Sequence, residues 1–193
     1  PTGNQGNTDT HTEGIIESSG YIKDIEIRVG EKQKNLPIEI WVNKPNRVKL
    51  SIVSPSGEVI DNLEAKNTNN ERIKFLYEGT EMIVNFTSPE LSTGDSLIFI
   101  RAYNLKAGIW KFRLTGQSIV DGKYYAWIPQ RELLDSETKF LNSVGYTTLT
   151  LSSTSSGAIS VAYYNQDDNS VISESGRGYT RYGMIKPDIA VML

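Results

Sequence analysis

Over most of its length this chain alternates apolar and polar residues with a period of two. Ile25, Ile27 and Val29 alternate with Asp24, Glu26 and Arg28; Ile38, Ile40 and Val42 with Glu39 and Trp41; Val48, Leu50 and Ile52 with Lys49 and Ser51. Successive side chains of a strand point to opposite faces, so this period predicts strands with one buried face and one wet face. Further runs fall at 82–86, 97–102, 110–114 and 123–128. Turn chemistry separates them: Ser54-Pro55-Ser56-Gly57, Glu78-Gly79, Ser92-Thr93-Gly94-Asp95, Ala107-Gly108 and Asp121-Gly122. Glycine supplies positive φ and Asp, Asn and Ser bond their own backbone, which is why such clusters reverse a chain.

No segment of helical period reaches three turns. Seven or eight short strands with turns so regularly spaced predict an antiparallel β-sandwich or jelly roll. The ends read differently. Residues 1–13 are polar and rich in Gly, Asn and Thr, as in a loop. From 129 onward, 131–140 has room for one or two helical turns, and 147–151, 158–164, 171–173 and 189–192 read as short strands in a Ser/Thr/Gly-rich setting of low charge. Strands of that texture belong inside a larger body. The expected organisation is therefore a leading segment over 1–13, an inserted jelly-roll domain over 14–128, and a return into the first body over 129–193.

Composition narrows the function classes. The 193 residues include no cysteine and one histidine, with a net charge of −3. Disulfides, thiolate metal sites and cysteine nucleophiles are excluded. No basic stripe appears, so nucleic acid is not an expected partner, and no apolar run is long enough to span a bilayer as a helix. The first residue is Pro1 rather than Met, so the chain is expected to begin at an internal or processed boundary.

Two segments carry chemistry. Gly3-Asn4-Gln5-Gly6 resembles the Gly-Asn-x-Gly loop of subtilisin-like serine proteases. Acyl transfer builds negative charge on the former carbonyl oxygen and needs a fixed N–H to offset it; glycines let the backbone take the tight path that aims such a group. Ser175-Gly176-Arg177-Gly178-Tyr179-Thr180-Arg181-Tyr182-Gly183-Met184-Ile185-Lys186-Pro187-Asp188-Ile189 is similar to the long stretch that precedes the nucleophile segment in the same family. Residues 158–165 (AISVAYYN) resemble the family strand just upstream. The resemblance implies a protease cut from an α/β body, with polypeptide substrates, no cofactor, and Asn4 as the oxyanion-hole donor. An ordinary subtilase needs only a few tens of residues between the first loop and that strand; the sandwich fills the gap here, as in the clostridial Csp-type subtilases. A secreted, cell-envelope or spore-associated location follows from that resemblance.

Departures matter as much. The family's His-Gly-Thr, Gly-Thr-Ser and catalytic-aspartate motifs are absent, so the chain is expected to be an internal fragment, inactive alone, with its triad outside it. The strand's usual glycine is Ala162, and Ala190-Val191-Met192-Leu193 replaces the expected continuation, so the chain is expected to stop before the catalytic serine. A regulatory pseudoprotease and a stand-alone jelly-roll binding module are the alternatives. Of the tempting residues, His11 reads as an exposed loop residue, 165–169 (NQDDN) as a solvated turn rather than a calcium loop, and Asp188 as a brace for backbone. Trp41, Trp110 and Trp127 read as core or rim packing rather than a sugar platform.

Overall fold

The computed structural model describes residues 1–64 and 70–192. Contacts divide the chain into two compact units, Thr12–Asn142 and Pro1–His11 with Ser143–Leu193. The first of these is the sandwich. Its strands are β1 (His11–Ile15), β2 (Ile22–Val29), β3 (Asn35–Val42), β4 (Arg47–Val53), β5 (Val59–Leu63), β6 (Asn70–Phe75), β7 (Thr80–Thr87), β8 (Ser96–Tyr103), β9 (Gly108–Ser118), β10 (Lys123–Trp127) and β11 (Lys139–Phe140). They form a six-stranded sheet, β1-β10-β3-β8-β7-β6, and a five-stranded sheet, β11-β2-β9-β4-β5. The pairings that join β2 to β11 are antiparallel. The protein is mainly β and antiparallel, with a jelly-roll or sandwich core, as the period of two predicts.

Register turns the alternation into a core. Ile38 and Ile40 of β3 face Ile100 and Ile98 of β8. In the other sheet Ile25 and Ile27 of β2 face Phe112 and Trp110 of β9, and Leu50 of β4 faces Leu114. All of these are buried in one continuous apolar cluster. Burying one large aliphatic side chain is worth about 1.5–3 kcal/mol, so the two inner faces hold the sheets together. Trp110 sits at the centre with no exposed surface; Phe75 meets its ring edge-on at 4.9 Å, and its Nε1 donates to the Lys106 carbonyl at 2.8 Å. Trp41 and Trp127 lie on the opposite face and are partly buried. Trp127 stacks on Tyr125, and Trp41 donates to Glu39.

Several strands were invisible to periodicity. β5 and β6 are edge strands with mostly wet side chains, so they carry little alternation. The stretch 131–140 contains a single 3₁₀ turn, Arg131–Leu133, and then β11 rather than helix. It is laced to the sandwich: Gly30 N–H donates to Thr138 Oγ1, Lys32 N–H to Asp135 Oδ2, and Leu141 N–H to the Glu26 carbonyl. Phe140 is buried in the core, so the sandwich unit runs through Asn142. Loop was expected at 1–13, yet β1 begins at His11. Its neighbour β10 is more than a hundred residues away, a pairing no local pattern announces.

Candidate functional site

The second unit, made of the two chain ends, contains both segments singled out in the sequence. Its regular structure is a two-stranded parallel sheet, β12 (Val161–Tyr164) beside β13 (Ile189–Met192), with Val161 opposite Ile189 and Tyr163 opposite Val191. The expected strands at 147–151 and 171–173 do not form. Leu151–Thr154 is a 3₁₀ turn, and Val171 makes only an isolated antiparallel bridge to Tyr164. Ser and Thr there bond locally to backbone, which competes with a ladder: Thr154 Oγ1 donates to the Leu151 carbonyl at 2.7 Å.

Residues 1–6 thread between β12 and the 172–177 stretch. Thr2 is buried. Its N–H donates to the Val161 carbonyl, its carbonyl accepts from Thr150, and its hydroxyl lies 3.1 Å from that of Ser175. Gly176 N–H donates to the Gly3 carbonyl at 3.0 Å, and Gly6 N–H to the Glu174 carbonyl at 2.9 Å. Gly6 is required at its place, since a Cβ would collide with the Ser175 carbonyl. The two segments, some 170 positions apart, are thus hydrogen-bonded neighbours.

Asn4 stands exposed in the bend that follows Gly3, whose φ is +87°. Its Oδ1 accepts from Gln5 Nε2 at 2.7 Å. That contact turns the acceptor end of the amide to Gln5, so the other end carries the N–H donors. Gln5 is itself placed by Thr8, whose hydroxyl donates to the Gln5 carbonyl at 3.0 Å.

The Lys-Pro-Asp stretch forms a brace. Asp188 Oδ2 accepts from Ser160 N–H at 2.6 Å, from Ser160 Oγ at 2.9 Å and from Lys186 Nζ at 2.7 Å. The Lys186 ammonium, beside the Ser160 donors, holds the Asp188 carboxyl down at about 2. Lys186 is buried and also donates to the Ala158 carbonyl at 2.7 Å. A buried ammonium is tolerated only with such partners. Asp188 N–H bonds the Ser160 carbonyl, so this cluster sets the register of β13 on β12. The bracing role read for Asp188 is what the structure contains.

Other expectations resolve as follows. His11 is not an exposed loop residue: only 1% of it is exposed, and its carbonyl accepts from Val144 N–H. The run 165–169 is a surface turn closed by its own side chains, Asp167 N–H donating to Asn165 Oδ1 and Ser170 N–H to Asp168 Oδ1. The Ser170 hydroxyl holds the Asp168 carboxyl below the usual range, and the Ser173 hydroxyl does so for Glu174. Among the described residues no group of three or more His, Asp or Glu side chains gathers as a metal site would require. Ser160 and Ser175 are both buried and bonded as braces. Thr2 and Ser160, the hubs of the unit, were missed in the sequence because a lone Thr or Ser carries no signal until its partners are known.

The arrangement is thus a β-sandwich inserted in sequence into a second unit, in which an Asn-bearing glycine loop is bonded to the 174–176 stretch and a Lys-Pro-Asp stretch braces β12. The chain is similar to the solved structure of the CspB protease of Clostridium perfringens, with a TM-score of 0.87 and 25% identity. The match covers 99% of this chain and 40% of that one, so the chain spans well under half the length of the protein it resembles. No protein-family model matches the sequence, and no curated protein does. The fold is that of part of a clostridial protease.

Proposed function

We propose that this chain is an internal portion of a subtilisin-like serine endopeptidase. Cleavage of polypeptide substrates runs through an acyl-enzyme, Asn4 donates to the oxyanion, and the Asp/His/Ser triad is supplied by sequence outside these residues. The observation that carries the reading is the locking of the Gly3–Gly6 loop to the 174–176 stretch, in a chain whose fold matches part of a protease. The chemistry is coherent with it. Charge develops on the scissile carbonyl oxygen only as the tetrahedral intermediate forms, so a donor fixed beforehand lowers the barrier without reorganising. Four backbone bonds, two at Thr2 and one each at Gly3 and Gly6, hold the loop, and the Gln5 contact orients the amide.

The test is made on the protein in its full natural length. It should hydrolyse an unstructured peptide and be labelled by a serine-directed phosphonate, whereas the 193-residue chain alone should do neither. In the full-length protein Asn4→Ala should cut kcat by about 10²–10³ with KM little changed, the magnitude observed for the equivalent donor in subtilisin. A folded variant with near-normal kcat would end the oxyanion assignment; absence of labelling would end the serine-protease reading.

A further inference from the structure

At the end of the sandwich where the chain crosses from β3 to β4, a cavity of about 190 Å³ opens between the two sheets. Its floor is apolar: Val42 and Ile98 are buried there, with Val48 and Phe86 partly buried beside them. Its rim is not. Lys44 and Arg47 stand exposed at the mouth, and among the described residues neither enters an ion pair. The Lys44 ammonium donates to Ser88 Oγ at 2.5 Å, and the Ser88 and Ser96 hydroxyls lie 2.9 Å apart. An ammonium has three donors, so two remain directed elsewhere. On the opposite wall Gln117 Nε2 donates to Glu64 Oε2 at 3.0 Å, which leaves Gln117 Oε1 as an acceptor.

We propose that this cavity binds the C-terminal residue of a peptide. An apolar side chain lies on the Val42–Val48–Phe86–Ile98 floor. The terminal carboxylate takes donors from Lys44, Arg47 and the Ser88/Ser96 hydroxyl pair, and the last peptide N–H donates to Gln117 Oε1. The size selects one residue, since pockets for larger ligands run to about 300–1,000 Å³. The charge selects a terminus. Two cations without an ion pair among the described residues, against the one Glu64 carboxylate, which Gln117 engages, leave a net positive rim above an apolar floor. This matches a main-chain carboxylate beside an apolar side chain, which an internal peptide residue does not present. The inference goes beyond the protease reading and does not rest on it.

Calorimetric titration of the 193-residue chain tests it, with acetyl-Ala-Ala-Leu bearing a free carboxylate as the probe. Comparators are its C-terminal amide, acetyl-Ala-Ala-Gly, and 4-methylpentanoate as a small acid of the same end group. The free tripeptide acid should bind saturably, and the amide and the glycine peptide about tenfold more weakly or worse. Lys44→Gln and Arg47→Gln should each weaken binding about tenfold, as the loss of a charge-assisted bond does, without moving the melting temperature. Val48→Phe should fill the cavity and abolish binding; if it fails to fold, Ser96→Phe at the rim serves the same purpose. Equal binding of acid and amide, or no saturation, overturns the proposal. So does 4-methylpentanoate binding as tightly as the tripeptide, which would reassign the site to small acids.

Discussion

The hydroxyls of Thr2 and Ser175 lie 3.1 Å apart, both buried, across 173 positions of sequence. Ser175 Oγ also accepts from Tyr163 N–H at 3.3 Å, so one serine ties the leading segment, β12 and the glycine-rich stretch together. Two substitutions test the tie. Thr2→Val and Ser175→Ala should each lower the stability of that unit by about 1 kcal/mol, the net worth of a neutral buried hydrogen bond. Because they share one contact, the double variant should lose less than the sum. Hydrogen exchange at the Gly6 and Gly176 amides reads the effect; strictly additive losses would show that the two hydroxyls do not act on each other.

Asp188 sets an acid limit on the same unit. Its folded value of about 2 lies below the ordinary 3.8. A depressed carboxyl stabilises the fold at every pH above its unfolded value and loses that contribution as pH falls through the folded one. Exchange protection of the Ser160 and Asp188 amides should therefore be constant above about pH 4 and decline from there towards pH 2. Asp188→Asn should flatten that decline and lower protection at neutral pH, because the buried Lys186 ammonium loses its counter-charge. An unchanged acid profile in Asp188→Asn would place the titration elsewhere.

Asn46 should be the costliest polar residue of the sandwich to replace. Fully buried, it accepts at Oδ1 from the N–H groups of Val120, Asp121 and Gly122 and donates from Nδ2 to the Asn43 carbonyl and Asp121. One side chain thereby satisfies a whole reversal, whose Gly122 has φ of +64° and no room for a Cβ against the Ile16 backbone. Asn46→Ala leaves the buried Gly122 N–H and the part-buried Val120 and Asp121 N–H groups without their acceptor, and about 2–3 kcal/mol of stability should be lost. Urea denaturation followed by tryptophan fluorescence measures it. A loss under about 0.5 kcal/mol would mean that water takes over the donors.

The limits of the sandwich are testable by dissection. A chain of residues 12–142 retains Phe140, the β11–β2 pairing and the Asp135 and Thr138 bonds to the 30–32 turn. A chain of 14–128 loses all of these and exposes the β2 edge. The longer piece should melt cooperatively and at a higher temperature, by several degrees for each kcal/mol lost. Equal melting temperatures would make 129–142 dispensable to the sandwich.

How much of this was legible beforehand differed by element. β2, β3, β4, β8 and β9 could be read because each sends every second side chain into the core, and burial imposes the period of two on the sequence itself. β5, β6 and β11 could not, since an edge or two-residue strand is held by backbone pairing that any side chain satisfies. Asn4 and the Lys186–Asp188 stretch were legible as motifs, because a tight turn and a backbone brace restrict residue types locally. The cavity between β3, β4 and β8 was not, for Lys44, Arg47 and Gln117 are ordinary surface residues until the two sheets pack.

Sequence by itself determined that the chain is mainly β, where most inner strands run, and that its ends carry a glycine loop and a Lys-Pro-Asp stretch. Each of those properties is written in neighbouring residues, as an alternation, a turn or a motif. Tertiary structure alone decided that β1 lies beside β10, that His11 is buried, that Thr2 meets Ser175 and that Asn46 holds the 120–122 turn. These depend on contacts between residues many tens of positions apart, and the free energy that selects them comes from burying two whole sheet faces at once, which no short stretch of sequence contains.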